Sequence, residues 1–182
     1  MSGTCIYPRD KTNEKYTILK GTINPLYNLS ETMNPVKQTK FGPIEGNCFA
    51  ACIASLLELS IEEVNIGPAD SPNWLENLQA YLKPKNLFFL EVRIDVAVNY
   101  PLYAMNGIYC VMSGRSPRTF EGHENVNHCI VGQVDYNPKE DRVIYSAIHD
   151  PHPDKTFLKP NTLWGLGFLI ALDPSKPTNP KA

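Results

Sequence analysis

From Phe49 to Leu57 the chain carries no charge: Phe49-Ala50-Ala51-Cys52-Ile53-Ala54-Ser55-Leu56-Leu57 is apolar on nearly every side of a helical wheel. This pattern predicts a helix over residues 48–58 that is surrounded by protein, because a surface helix shows one apolar stripe and a polar back. Gly42, Pro43 and Gly46 interrupt the chain ahead of it, and Asn47 suits a helix N-cap. A second, amphipathic pattern predicts a helix over 72–82, with Trp74, Leu75, Leu78 and Leu82 inward, Ser71 as N-cap and Pro72 in the first turn. Beyond it the periodicity shortens to that of strands, at 87–93, 107–112, 128–135, 142–149 and 163–172. Residues 137–141 read as a turn joining the third and fourth strands into an antiparallel hairpin. Helices first and strands afterwards predict an α+β domain.

The ends differ in character. Residues 1–34 read as an N-terminal arm with Pro8, Pro25 and a short strand at 16–19. Residues 173–182, with Pro174, Pro177 and Pro180, read as a flexible tail. The domain is expected over 35–172. A chain of 182 residues fits one domain that buries a core without disulfide or metal staples.

Composition narrows the function classes. A formal charge of −2 lacks the basic excess of a nucleic-acid or membrane-surface binder. The first residues show no basic start followed by an apolar run, so no signal peptide is expected. The apolar stretch 49–59 is shorter than the about 20 residues needed to cross a bilayer. Five cysteines, an odd number without a secretion signal, point to reduced thiols and a cytoplasmic location.

Three residues stand where thiol chemistry would need them. Cys48 opens the buried helix, where unpaired N–H groups and partial positive charge stabilise a thiolate and can hold an oxyanion. The plainer reading is a small apolar residue at a helix start. His128 leads a strand, where an imidazole can face a cleft and act as general base; a partly exposed strand-end histidine is the plainer alternative. Asp150 closes the next strand, so an antiparallel hairpin brings it to the edge where His128 begins. His128 lies 10 residues before Pro138 and Asp150 12 after it, which requires a bulge or slack register. The carboxylate would fix the imidazole tautomer; otherwise it belongs to an Asp-Pro turn.

Gly46-Asn47-Cys48-Phe49-Ala50-Ala51-Cys52, Asn127-His128-Cys129-Ile130-Val131-Gly132 and His149-Asp150-Pro151-His152-Pro153 together resemble papain-like cysteine hydrolases, most nearly the C39-peptidase-like branch. With residues 38–42 and 113–118 added, the pattern is similar to small bacterial and phage proteins of this type. The resemblance spans about 36–155. It implies a papain-like fold with the cysteine-bearing helix on an antiparallel sheet, a nucleophile at Cys48, a base at His128 and an orienting acid at Asp150. No cofactor is implied, and the partner would be a peptide, protein or small-molecule amide substrate. Such enzymes carry an oxyanion-hole glutamine about six residues before the cysteine, where this chain has Gly42. Gln38, or Asn47 with backbone amides, would have to serve instead.

Three further expectations complete the reading. Arg115 and Arg118, in the loop at 113–127, would hold a substrate carboxylate or phosphate, or else be solvated loop charges. A zinc site built from Cys48, Cys52, His128, Cys129, His149 and His152 is the first competitor. Against it, Cys52 lies inside the apolar helix, and Cys129 should face away from His128 because strand side chains alternate. Cys52, Cys110 and Cys129 are accordingly expected to pack the core, as are Trp74 and Trp164. A non-catalytic module that binds a protein or ligand through the same fold is the second competitor.

Overall fold

The apolar run folds as a helix, α1 (Cys48–Leu57), in which every side chain from Phe49 to Leu57 is buried. The computed structural model describes residues 33–69, 71–94 and 107–181; the expected strand at 16–19 lies outside them. α1 stops because Glu58 turns to a left-handed φ of 55° and Leu59 N–H reaches back to the Ala54 carbonyl at 3.0 Å. A short 3-10 turn follows, closed by reciprocal bonds between Ser60 and Glu63.

The second helix, α2 (Trp74–Leu82), has Asn73 rather than Ser71 at its N-cap position, with no side-chain cap bond. Its inward stripe is Trp74, Leu78 and Leu82, spaced four apart on one face. Leu75, expected inward, sits one step round the helix and is 39% exposed. Trp74 leads the stripe, meeting Phe49 and Phe89 edge-on at 5.5 and 6.4 Å between ring centroids.

Among the described residues, five strands form one sheet: β1 (Leu87–Arg93), β2 (Ile108–Arg115), β3 (Asn127–Asn137), β4 (Arg142–His149) and β5 (Gly165–Ala171). Their order is β1-β5-β2-β3-β4, and every neighbouring pair is antiparallel. The α+β expectation is met, with the third and fourth strands paired as a hairpin. Alternation along the strands divides the core. Leu87, Phe89, Val111, Cys129 and Val131 face α1 and α2, whereas Cys110, Met112, Ile130, Val134, Leu166 and Phe168 form a second cluster. Phe157, Leu158 and Leu163, from the connection before β5, pack against that second cluster.

Two glycines let side chains cross the sheet closely. A Cβ on Gly167 would stand 2.1 Å from Phe89 Cζ, and one on Gly132 would stand 2.2 Å from Met112 Sδ. Met112 is unbranched and can swing aside, whereas Phe89 is wedged between Phe49 and Trp74. Gly167→Ala is therefore expected to lower stability by about 1–3 kcal/mol, and Gly132→Ala by less. Urea titrations of the two variants check the order.

Both ends of the described chain are tied down. Ser55 Oγ donates to Ala51 O at 2.8 Å and accepts from Val36 N–H at 2.9 Å, while Asn34 N–H donates to Ser55 O at 3.3 Å. His149 Nε2 bonds Val36 O at 2.8 Å, and Gln38 N–H donates to Pro151 O at 3.1 Å. Residues 33–38 are thus laced between α1 and the end of β4. At the other end, the residues expected as a flexible tail are held by Asn86. Its Nδ2 donates to the carbonyls of Asp173 and Lys176 at 2.9 and 3.0 Å, and its Oδ1 accepts from Asp173 N–H at 2.9 Å. Among the described residues, no helix is long and apolar enough to cross a membrane.

Candidate active site

Cys48, at the first turn of α1, opens into a cavity of about 350 Å³ between α1, α2 and the loop that joins β2 to β3. Gln38, His128, Cys129, Trp74 and Trp164 line it as well. The two tryptophans, expected as core anchors, form part of its wall, and Trp74 also packs against the core beneath it.

Asn47 does not cap α1 with its side chain. Its Oδ1 accepts instead from the N–H groups of Thr39 and Lys40 at 3.0 and 2.9 Å, and its Nδ2 donates to Thr39 Oγ1 at 3.0 Å. That amide is therefore spent on the upstream strand of chain and is not placed to meet an oxyanion, contrary to one expectation. The first N–H groups of α1 have no intrahelical partner and no side-chain cap. Between the two, Gly46 N–H bonds Gly42 O at 3.2 Å, in a loop where Gly42 has φ 95° and a Cβ on Gly46 would strike that carbonyl at 2.5 Å. This closed loop brings Gln38 to the cavity although it lies ten residues before Cys48. Gln38 is 7% exposed; its Nε2 donates one hydrogen to Lys40 O at 2.8 Å, and its buried Oε1 has no partner. The second Nε2 hydrogen is free to donate.

The hairpin delivers the other two residues. β3 and β4 shift register between Val131, which faces His149, and Gly132, which faces Ala147. Ile148 is the extra residue of that bulge, and it absorbs the unequal chain lengths on either side of the turn. His128 Nε2 consequently meets Asp150 Oδ1 at 2.8 Å, both groups buried. With Nε2 engaged, Nδ1 is the ring nitrogen left for the Cys48 thiol, which hydrogen-bonds this imidazole.

Asp150 has a fully buried carboxylate with four donors. Oδ1 accepts from His128 and from His152 N–H at 2.9 Å; Oδ2 accepts from Arg118 Nη2 at 3.0 Å and from Phe157 N–H at 2.7 Å. Burial pushes its pKa up, but the bonds from His128, His152 and Phe157 outweigh it and hold the group at about 2. Burial also pulls His128 down, and Asp150 and Cys48 lift it to about 9. Cys48 is lowered well below a free thiol, first by its hydrogen bond with the Cys129 thiol and, against burial, by the bond and charge of His128. The pair is thus poised as thiolate and imidazolium.

Cys129 was the residue missed. It was expected to face away from His128, but it packs on the side that α1 covers and lines the same cavity as His128. It meets Cys48 there, and Ser113 Oγ stands 3.5 Å from its sulfur. The signal in the sequence is the two-residue alternation of β3, by which Cys129 shares the α1-facing side with Val131.

Both arginines are occupied internally. Arg118 binds Asp150 and, through Nε and Nη2, both carboxylate oxygens of Asp154. Arg115 Nη1 donates to Asn125 O and, at 2.7 Å, to Asn127 Oδ1, which staples the loop at 116–126 to the start of β3. Arg118 nevertheless lines the cavity, whereas Arg115 does not. His152 pairs with Asp154 at 2.9 Å and meets Phe41 edge-on at 5.1 Å. Cys52 and Cys110 are wholly buried, with thiols pushed up by burial, Cys110 to about 12. Among the described residues, no group of three or more His, Cys, Asp or Glu is placed to hold a metal ion.

These protonation states give stability a definite pH dependence. The raised pKa of His128 adds stability that is complete below 6.5 and lost as pH climbs through about 9. The lowered pKa of Cys48 adds stability that is complete above 9.0 and lost as pH falls through its depressed value. Between 6.5 and 9 the two offset each other. The wild-type unfolding midpoint should be level over this window. In Cys48→Ala the stabilising thiolate is gone and with it the share of the His128 lift that Cys48 supplies, so the midpoint should fall as pH rises from 6.5 and level off before 9. Thermal melts across that range check it, and a level curve in the variant would contradict a charged His128.

Compared with family models, with curated proteins and with solved structures, the chain gives no match.

Proposed function

We propose that this protein is a thiol-dependent hydrolase or acyl transferase of the papain-like kind, acting through Cys48, His128 and Asp150. The observation that carries the reading is the unbroken chain of contacts from the buried Asp150 carboxylate through the His128 ring to the Cys48 thiol, ending in an open cavity. A merely structural histidine would not need an acid clamped by four donors on one side and a lowered thiol on the other. A cysteine-bearing buried helix packed on an antiparallel sheet supports the papain-like comparison.

In this mechanism the Cys48 thiolate adds to the carbonyl carbon of an amide, peptide or ester. The oxyanion is held by the backbone N–H groups at the start of α1 and by the free Nε2 hydrogen of Gln38. His128, protonated, gives its proton to the leaving amine or alcohol as the tetrahedral adduct collapses to a thioester. It then takes a proton from water, or from another acceptor, which attacks the thioester and frees the thiol. Asp150 keeps the ring in the tautomer with Nδ1 toward sulfur, and Arg118 holds Asp150 in place through its 3.0 Å bond. Reduced thiols at such a site fit a cytoplasmic setting, and the resemblance to bacterial and phage proteins belongs to the same reading.

Iodoacetamide labelling with peptide mapping tests the proposal. Cys48 should be modified fastest among the five thiols, at a rate nearly constant from pH 6 to pH 8. Equal labelling of all thiols, rising with pH as free thiols do, would overturn it.

A further inference from the structure

The mechanism above uses one sulfur, yet the cavity holds two in contact. Cys129 lies beside Cys48 across the gap between β3 and α1, close enough for each thiol to shift the ionisation of the other, and both line the same cavity. Ser113 Oγ steadies Cys129 from the neighbouring strand at 3.5 Å. The remaining described thiols are poorer partners. Cys52 lies wholly buried within the same helix as Cys48, and Cys110 belongs to the cluster on the far face of the sheet.

We propose that Cys48 and Cys129 form an oxidative modification site, in which a hydroperoxide converts the two thiols to an intramolecular disulfide that blocks the nucleophile. This rests on the reading of Cys48 as a reactive thiolate. The Cys48 sulfur attacks the outer oxygen of the hydroperoxide, forming an S–O bond as the O–O bond breaks. Sulfur loses two electrons, and the peroxide is reduced to an alcohol, or to water for hydrogen peroxide, after taking a proton from His128. The Cys129 sulfur then attacks Cys48, the S–S bond forms, the S–O bond breaks, and the departing hydroxide leaves as water with the Cys129 proton. In sum, two thiols and one hydroperoxide give one disulfide, one alcohol and one water.

The order of these steps follows from the electrostatics. The Cys129 thiol is held neutral first by its hydrogen bond with Cys48 and then by burial. Conversion of Cys48 to a neutral sulfenic acid removes the negative charge opposite Cys129, so the second thiol becomes able to ionise only after the first has reacted.

The test treats the full chain with one equivalent of hydrogen peroxide, blocks free thiols with N-ethylmaleimide, and maps the digest by mass spectrometry. The expected result is a peptide linking Cys48 to Cys129 and loss of iodoacetamide labelling at Cys48, restored by dithiothreitol. In Cys129→Ser, and in Cys129→Ala should the first fold poorly, two or more equivalents of peroxide should drive Cys48 to sulfinic acid, which dithiothreitol does not restore. Wild-type protein in which Cys48 becomes sulfinic beside a free Cys129, or pairs with another thiol, overturns the proposal while leaving the hydrolase reading intact. A Cys48 inert to both peroxide and iodoacetamide overturns both.

Discussion

Replacing His128 by Ala is expected to lower turnover of an ester or amide by about 10²–10⁴-fold, the usual worth of a positioned proton carrier. Capture of Cys48 by iodoacetamide should fall much less. Without the imidazolium the thiol returns toward an ordinary pKa near 8.5, at which about 3% is thiolate at pH 7, so the loss is at most about 30-fold. The Cys129 hydrogen bond survives the substitution and keeps the actual loss below that bound. The two readouts separate the roles of the histidine: alkylation senses only the thiolate it stabilises, whereas turnover also needs the proton it delivers. The pH profiles differ too. Wild-type turnover should decline as pH passes about 9, where His128 loses its proton, and alkylation should not. In His128→Ala, alkylation should instead climb with pH through the ordinary thiol range. An alkylation profile unchanged by the substitution would remove His128 from the site.

What the sequence disclosed follows from which interactions are local. α1 was readable because an uncharged run of nine residues, bounded by glycines and a proline, has few other ways to satisfy its backbone once buried. The strands and the hairpin between β3 and β4 were readable from alternation and a turn-forming connection. The bulge that brings Asp150 to His128 was foreseeable only as a need, since unequal arms of a hairpin must lose a residue somewhere.

The misplacements have one cause in common: each depended on a partner distant in sequence. Which face of β3 carries α1 is a tertiary fact, so the alternation that sent Cys129 away from the chemistry could not say which side the helix covers. Asn47 has the residue type of a cap, but two N–H groups from 39–40 were better placed to claim its oxygen. Arg118 found Asp154, 36 residues on, and with it a second reason to turn inward. Leu75 lies off the inward stripe, which is led by Trp74 through its edge-on contacts with Phe49 and Phe89. The prolines of the C-terminal stretch rule out a helix there, but not attachment to Asn86.

Asp150→Ala should be the most destabilising single change at the site. A carboxylate with no exposed surface would vanish from between a guanidinium that is 12% exposed, a buried imidazole and two backbone N–H groups. Removing one partner from such a pair leaves the other charge uncompensated, at a cost of about 3–5 kcal/mol. For a domain of this size that corresponds to a fall of about 6–20 °C in Tm. If the penalty arises from the stranded Arg118, then Arg118→Leu in the Asp150→Ala background should return part of the loss, because the unpaired charge goes with it. Asp154 is left without its arginine in that double variant, but it lies at 39% exposure and water can take over. Strict additivity of the two changes would deny the coupling. The pH dependence gives the same answer by another route. The depressed pKa of Asp150 adds stability that is complete above 3.8 and lost as pH falls through about 2. Acid unfolding of the wild-type protein should therefore steepen across that interval, and Asp150→Ala, having no such carboxylate to protonate, should unfold in acid with a shallower slope from an already lower plateau.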